Sequence, residues 1–310
     1  VLRRALLYSP AVGIEFDSSR VDTSGVDDRR GRGGGGGIAI AGGGGIVGII
    51  ITVVVLLLGG NSGSLPQIGT APGANQPGQV EGETKEQFNT RCNSDGALTQ
   101  YTDCRLTKVV NVADDVWSAE LERRGLTWQR PTLVFFSGQT ETGCGAASAQ
   151  VGPFYCPPDQ GIFFELGFLE QLQQQFGAKG EFAQAYIAAH EYGHHLQTLL
   201  GTEPKVRAAQ QRDPGNANAY SIALELQADC YAGVWATLAD KSGQNGIGLT
   251  ESNIAEAVTA AEAVGDDRIQ EKVQGRVDPE GWTHGSAEQR RTWFLTGYRS
   301  GDIAQCDTFR

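Results

Sequence analysis

Residues 38–58, IAIAGGGGIVGIIITVVVLLL, run for twenty-one positions without a charged side chain. As a helix this run would be about 31 Å long, close to the hydrocarbon thickness of a bilayer, so the sequence predicts a single transmembrane helix here. A cleaved signal peptide fits less well, because its apolar region usually covers about 7 to 15 residues and ends at a small-residue site. A lipoprotein signal needs a Cys just past the run, and the first Cys is Cys92. Arg29, Arg30 and Arg32 precede the run, and no basic residue follows it until Lys85. The positive-inside rule then makes residues 1–37 a cytoplasmic, basic and Gly-rich segment and sends everything beyond the span outside. Residues 59–83 hold seven Gly and three Pro with almost no large apolar side chain and read as a flexible linker. Residues 84–310 remain as one extracytoplasmic domain. Gly44 and Gly48 form a GxxxG, but inside a glycine tract that spacing arises trivially, so the oligomeric state stays open.

With 25 basic and 36 acidic side chains the net charge is −11, which excludes a nucleic-acid binder: such a chain needs a basic stripe to displace counterions from phosphates. All six Cys lie beyond the apolar run. An even number on the oxidising side reads as disulfides. Fifteen pairings are possible; proximity favours Cys92 with Cys104 and Cys144 with Cys156, leaving Cys230 with Cys306. No C-x-x-C spacing supports a cysteine metal site.

Within the domain, helix and strand signals are mixed, which points to a helix-rich α+β fold. Leu106–Glu122 has apolar residues near helical spacing and stops around Gly125. TLVFF at 132–136 and GIFFEL at 161–166 are strand candidates bounded by Pro, Gly and Ser. The best helices are Glu181–Leu200 and Tyr220–Ala239, separated by a turn at 213–216, and Ser286 with Gln289 forms a capping box that opens another.

Three of the four His fall between His190 and His195. His190-Glu191-Tyr192-Gly193-His194 is H-E-x-x-H within a predicted helix, so the two imidazoles four residues apart point the same way and can share one zinc ion. Glu191, rotated by about 100° around the helix, is the natural general base for a water beside the metal. A catalytic zinc needs a third protein ligand and groups that orient the imidazoles. Glu225 and Asp229, four apart on the next helix, offer both: Glu225 as ligand with Asp229 on a free imidazole N–H, the reverse assignment, or two ordinary surface acids. The extended motif with a third His fails, since positions 197 and 200 are Gln197 and Leu200, and the chain has no Met for a Met-turn. His195 points away from the motif face and packs or meets solvent. His284 precedes the capped helix, where it could face developing negative charge in catalysis. Tyr192, Tyr220 and Tyr231 could each supply a phenol, Gly193 permits close packing against an unnamed element, and Arg290 and Arg291 read as an exposed face.

These stretches together resemble the bacterial membrane-anchored neutral zinc metallopeptidases: DDRRGRGGGG at 27–36, HEYGHHLQ at 190–197, ELQADCYAGVW at 225–235 and HGSAEQRRTWF at 284–294. The resemblance implies a zincin-like domain, gluzincin-like in its ligand set, with His190, His194 and Glu225 holding Zn2+ and Glu191 as catalytic acid/base. The expected activity is hydrolysis of a peptide or protein substrate at the cell membrane. The rival readings are a non-catalytic, zinc-stabilised envelope binding module and a zinc amidase acting on cell-wall peptides.

Overall fold

The computed structural model describes residues 13–17, 19–31, 80, 82–148, 151–178, 180–241 and 246–309. The candidate span 38–58 and the linker to residue 79 lie outside the described residues. No helix among those described is long and apolar enough to cross a membrane.

A four-stranded sheet forms one layer. The short β1 (Glu15–Phe16) lies outside it, whereas β2 (Val26–Asp28) is one of its edges. β3 (Thr132–Phe136) lies beside it, and a hairpin of β4 (Gln139–Thr142) and β5 (Gly145–Ser148) follows. β6 (Phe154–Cys156) and β7 (Gly161–Glu165) complete the sheet in the order β2-β3-β7-β6, with β6 alone antiparallel. TLVFF reads as a continuous apolar run because both faces are covered. Leu133 and Phe135 join Ile162 and Phe164 in the main core, while Val134, Phe136, Phe154 and Phe163 pack with Ala147 and Val151 on the other face.

The helices stack on the first face. In chain order they are α1 (Lys85–Cys92), α2 (Ala97–Gln100), α3 (Thr102–Arg123), α4 (Leu166–Phe176), α5 (Glu181–Leu199), α6 (Thr202–Arg212), α7 (Ala217–Lys241), α8 (Glu251–Ala263), α9 (Asp266–Gln274) and α10 (Ala287–Ser300). β8 (Ile247–Gly248) pairs with β1. Every described strand and helix anticipated above is present, with ends shifted by a few residues, and Leu166 starts α4 rather than ending β7. The segment between α5 and α7 holds the additional helix α6 before the Pro214–Asn216 turn. The Ser286–Gln289 capping box is formed, and boxes at Thr84–Gln87 and Thr250–Asn253 start α1 and α8.

From Phe182 to Gln197 nearly every residue of α5 is buried. A helix that is enclosed all round sits at the centre of its domain. Two crossings depend on missing side chains. Gly193 of α5 faces α7, where a Cβ would lie 3.0 Å from Cα and O of Ala228; this is the element that the sequence could not name. Gly233 of α7 and Gly297 of α10 press against each other's helices, and a Cβ on either would fall on backbone atoms of Phe294 or Cys230. The three disulfides join Cys92–Cys104, Cys144–Cys156 and Cys230–Cys306, the pairing that proximity favours.

The domain begins earlier than residue 84. Residues 13–31, assigned above to a separate N-terminal segment, belong to the same fold: β1 pairs with β8, β2 is hydrogen-bonded along β3, and Asn93 exchanges two hydrogen bonds with the Val21 backbone. Strand pairing between segments more than 100 residues apart leaves no local signal, which is why the apolar run looked like a boundary.

In an exposed helix Gly→Ala would gain about 1 kcal/mol. Gly233→Ala should instead cost about 3 kcal/mol or more through overpacking against backbone, read as a lowered midpoint in urea or thermal unfolding.

Candidate metal centre

The close approach at Gly193 sets α5 and α7 so that residues 35 apart in sequence meet. One ligand atom each from His190, His194 and Glu225 lies within 4.8 Å of the others, and all three residues are buried. His190 Nε2 is 3.2 Å from Glu225 Oε2, and His194 Nε2 is 3.4 Å from Glu225 Oε1. A tetrahedral ion with ligands at about 2.0–2.1 Å has ligand-to-ligand edges of roughly 3.3 Å. The donor set therefore fits zinc in both chemistry and spacing.

The other ring nitrogens fix which atoms face the centre. Asp229 Oδ1 lies 2.9 Å from His190 Nδ1, and a carboxylate only accepts, so Nδ1 donates there and Nε2 is the nitrogen left to face the centre. For His194 the chain of reasoning is one step longer. Gln197 donates through Nε2 to Leu224 O at 2.7 Å, which turns its Oε1 toward His194 Nδ1 at 2.8 Å as acceptor. Asp229 is itself held by Arg290, with Nε to Oδ2 at 2.8 Å and Nη2 to Oδ1 at 3.0 Å, and by the Tyr186 hydroxyl. Arg290 is 1 % exposed, which corrects its reading as surface; α10 turns it inward onto the carboxylate, while Arg291 stays exposed. A buried pair of this kind is costly to break, typically about 3–5 kcal/mol.

Charge in the centre is biased toward accepting a cation. Burial works against ionisation of Glu225 and Asp229, yet the neighbouring imidazoles hold Glu225, and Arg290 with His190 holds Asp229, below the usual carboxylate range. Burial likewise opposes a charge on His190, but Asp229 and Glu225 push it up to about 9. His194, for which burial dominates, is lowered to about 4. Glu191 stands apart from the three-residue cluster. Its burial, reinforced by Glu225, pushes it up to about 7 against the pull of His190, Arg290 and the Tyr155 backbone N–H. That value suits a group that must both take and return a proton near neutrality.

His284 is 1 % exposed and close enough to help lower the Glu225 pKa. Its Nδ1 donates to Asp266 Oδ1 at 2.9 Å, and Asp266 Oδ2 accepts the backbone N–H groups of Thr283, His284 and Gly285. His284 Nε2 is buried with no hydrogen-bond partner among the described residues. Gly285, at φ 90°, seats this loop against Ile222 and Leu226 of α7, one on each side of Glu225. His195 points away, between Tyr155 and the Gln129 carbonyl. Tyr192 donates to Asp114 on the far side, and Tyr231 packs on Trp117, so the phenol beside the centre is Tyr186. An apolar cleft adjoins His190, lined chiefly by Phe168, Leu172, Ile187 and Val264.

Sequence reasoning did not find Tyr186, Gln197, Asp266 or the inward Arg290. Tyr186 lies one turn before His190 and Gln197 three residues after His194, so helical spacing marked both. Asp266 carries no such mark.

A family model described as "Putative neutral zinc metallopeptidase" matches residues 17–309. The Escherichia coli K12 protein "Uncharacterized protein YpfJ" is 46 % identical over 202 residues, covering 65 % of this chain and 69 % of that one. The Mycobacterium tuberculosis H37Rv protein "Uncharacterized protein Rv2575" is 44 % identical over 253 residues, 78 % of this chain and 84 % of its own. No solved structure matches. The match begins at residue 17, inside the N-terminal stretch that folds with the domain, and runs through the histidine pair, Glu225 and the His284 loop: the chain belongs to the neutral zinc metallopeptidase family.

Proposed function

We propose that the protein is a zinc-dependent endopeptidase of an oxidising, extracytoplasmic compartment. The observation that carries this reading is the convergence of His190, His194 and Glu225 at ligand spacing with Glu191 beside them and outside the ligand set. Zinc held by those three residues would supply Lewis acidity, acidifying water and polarising a carbonyl. Glu191 takes the proton of the attacking water and hands it to the departing amine. Asp229 and Gln197 hold the imidazoles with Nε2 toward the ion. Held through Nδ1 by Asp266, His284 turns Nε2 to the negative charge that develops on the substrate oxygen. An apolar side chain next to the scissile bond would face the apolar lining of the cleft beside His190. Three disulfides support the oxidising compartment.

Glu191→Gln should keep zinc at one equivalent by metal analysis and lose at least about 100-fold in cleavage of a peptide library. Equal turnover by both forms would reject the base, and stoichiometric zinc without turnover by the unaltered protein would favour a binding module. Product mass spectrometry separates backbone cleavage from amide hydrolysis in wall peptides. His190→Ala should abolish zinc binding, and Asp229→Asn should weaken it by roughly 10–100-fold, read by competition with a chelator. His284→Ala should leave zinc affinity unchanged while kcat falls by about 10²–10³.

A further inference from the structure

Asp103 is fully buried at the start of α3, and its carboxylate holds two guanidinium groups. Arg30 Nη2 approaches Oδ2 at 2.8 Å, and Arg91 binds both oxygens at 3.0 and 2.8 Å. Arg91 in turn grips Glu83 through contacts of 2.6–3.0 Å, and its Nη1 lies 3.2 Å from Sγ of Cys104, the partner of Cys92. One buried anion thus ties the last residues before the apolar run to the first residues after the linker.

We infer that residues 13–31 and 83–309 lie on the same side of any membrane that the apolar sequence between them meets. A single crossing would separate its two ends by about 30 Å of hydrocarbon, which is incompatible with an Arg30–Asp103 pair and with β2 hydrogen-bonded along β3. Arg29 and Arg30, two of the three arginines that suggested a cytoplasmic N-terminus, are also occupied by the fold. Arg30 is buried between Asp28 and Asp103, and Arg29 pairs with Asp27 and donates to Thr140 and the Glu141 carbonyl.

The test is labelling of the full chain in cells with a membrane-impermeant maleimide, before and after permeabilisation. Arg20 and Ser24 are exposed in the N-terminal stretch, and Glu122 is exposed near the end of α3. Arg20→Cys, Ser24→Cys and the reference Glu122→Cys should respond alike, all before permeabilisation or all only after it. Labelling of Glu122→Cys in intact cells with Arg20→Cys and Ser24→Cys protected until permeabilisation, or the reverse, would overturn the inference. Using two N-terminal positions guards against one substitution disturbing the fold.

Discussion

The closeness of two buried helices is the constraint on which the centre depends. Gly193 lies inside the histidine motif, where a side chain would favour helix formation, and its absence lets the backbone of α7 approach at Ala228. Glu225 and Asp229 flank Ala228 on α7, so the same approach brings one carboxylate to both Nε2 atoms and the other to Nδ1 of His190. A wider spacing would lose ligand and orienting contact together. Gly233 and Gly297 repeat the device one crossing away and deliver Arg290 onto Asp229.

This packing leaves several ionisable groups dry, which is tolerable only because they compensate one another. Asp229 is balanced by Arg290, and Glu225 by the imidazoles, with His190 held protonated by its acidic neighbours. A divalent cation would replace that proton's role and join the imidazoles and Glu225 without altering the outer contacts. Glu191, for which burial outweighs the pull of His190 and Arg290, is the carboxyl brought into the neutral range. Two carboxyl groups on neighbouring elements thereby acquire different tasks from their surroundings alone.

Much of the local structure was legible. TLVFF and GIFFE are strands, the HEYGHH and ELQAD stretches are helices, and Ser286 caps α10, because apolar period and capping chemistry act within a few residues. The nearest-neighbour disulfides followed from loop length. The reading of Arg290 failed for the opposite reason: its partner is 61 residues away on another helix, and a lone arginine in sequence looks like surface. The N-terminal stretch failed likewise, since a three-residue strand such as β2 has no period of its own and is defined by its partner.

By itself the sequence determined the chemistry available: two imidazoles four apart on one helical face, a carboxyl between them, a second acidic pair at the same spacing, and an even set of cysteines. Those follow from covalent order and the pitch of a helix. Tertiary structure decided which carboxylate meets the histidines, which nitrogen of each ring is free, that Arg290 and Asp266 stand behind them, and that residues 13–31 belong with the domain. Each of these is a contact between segments distant in the chain, formed where burial makes an unpaired charge or an unpaired strand edge too costly to leave.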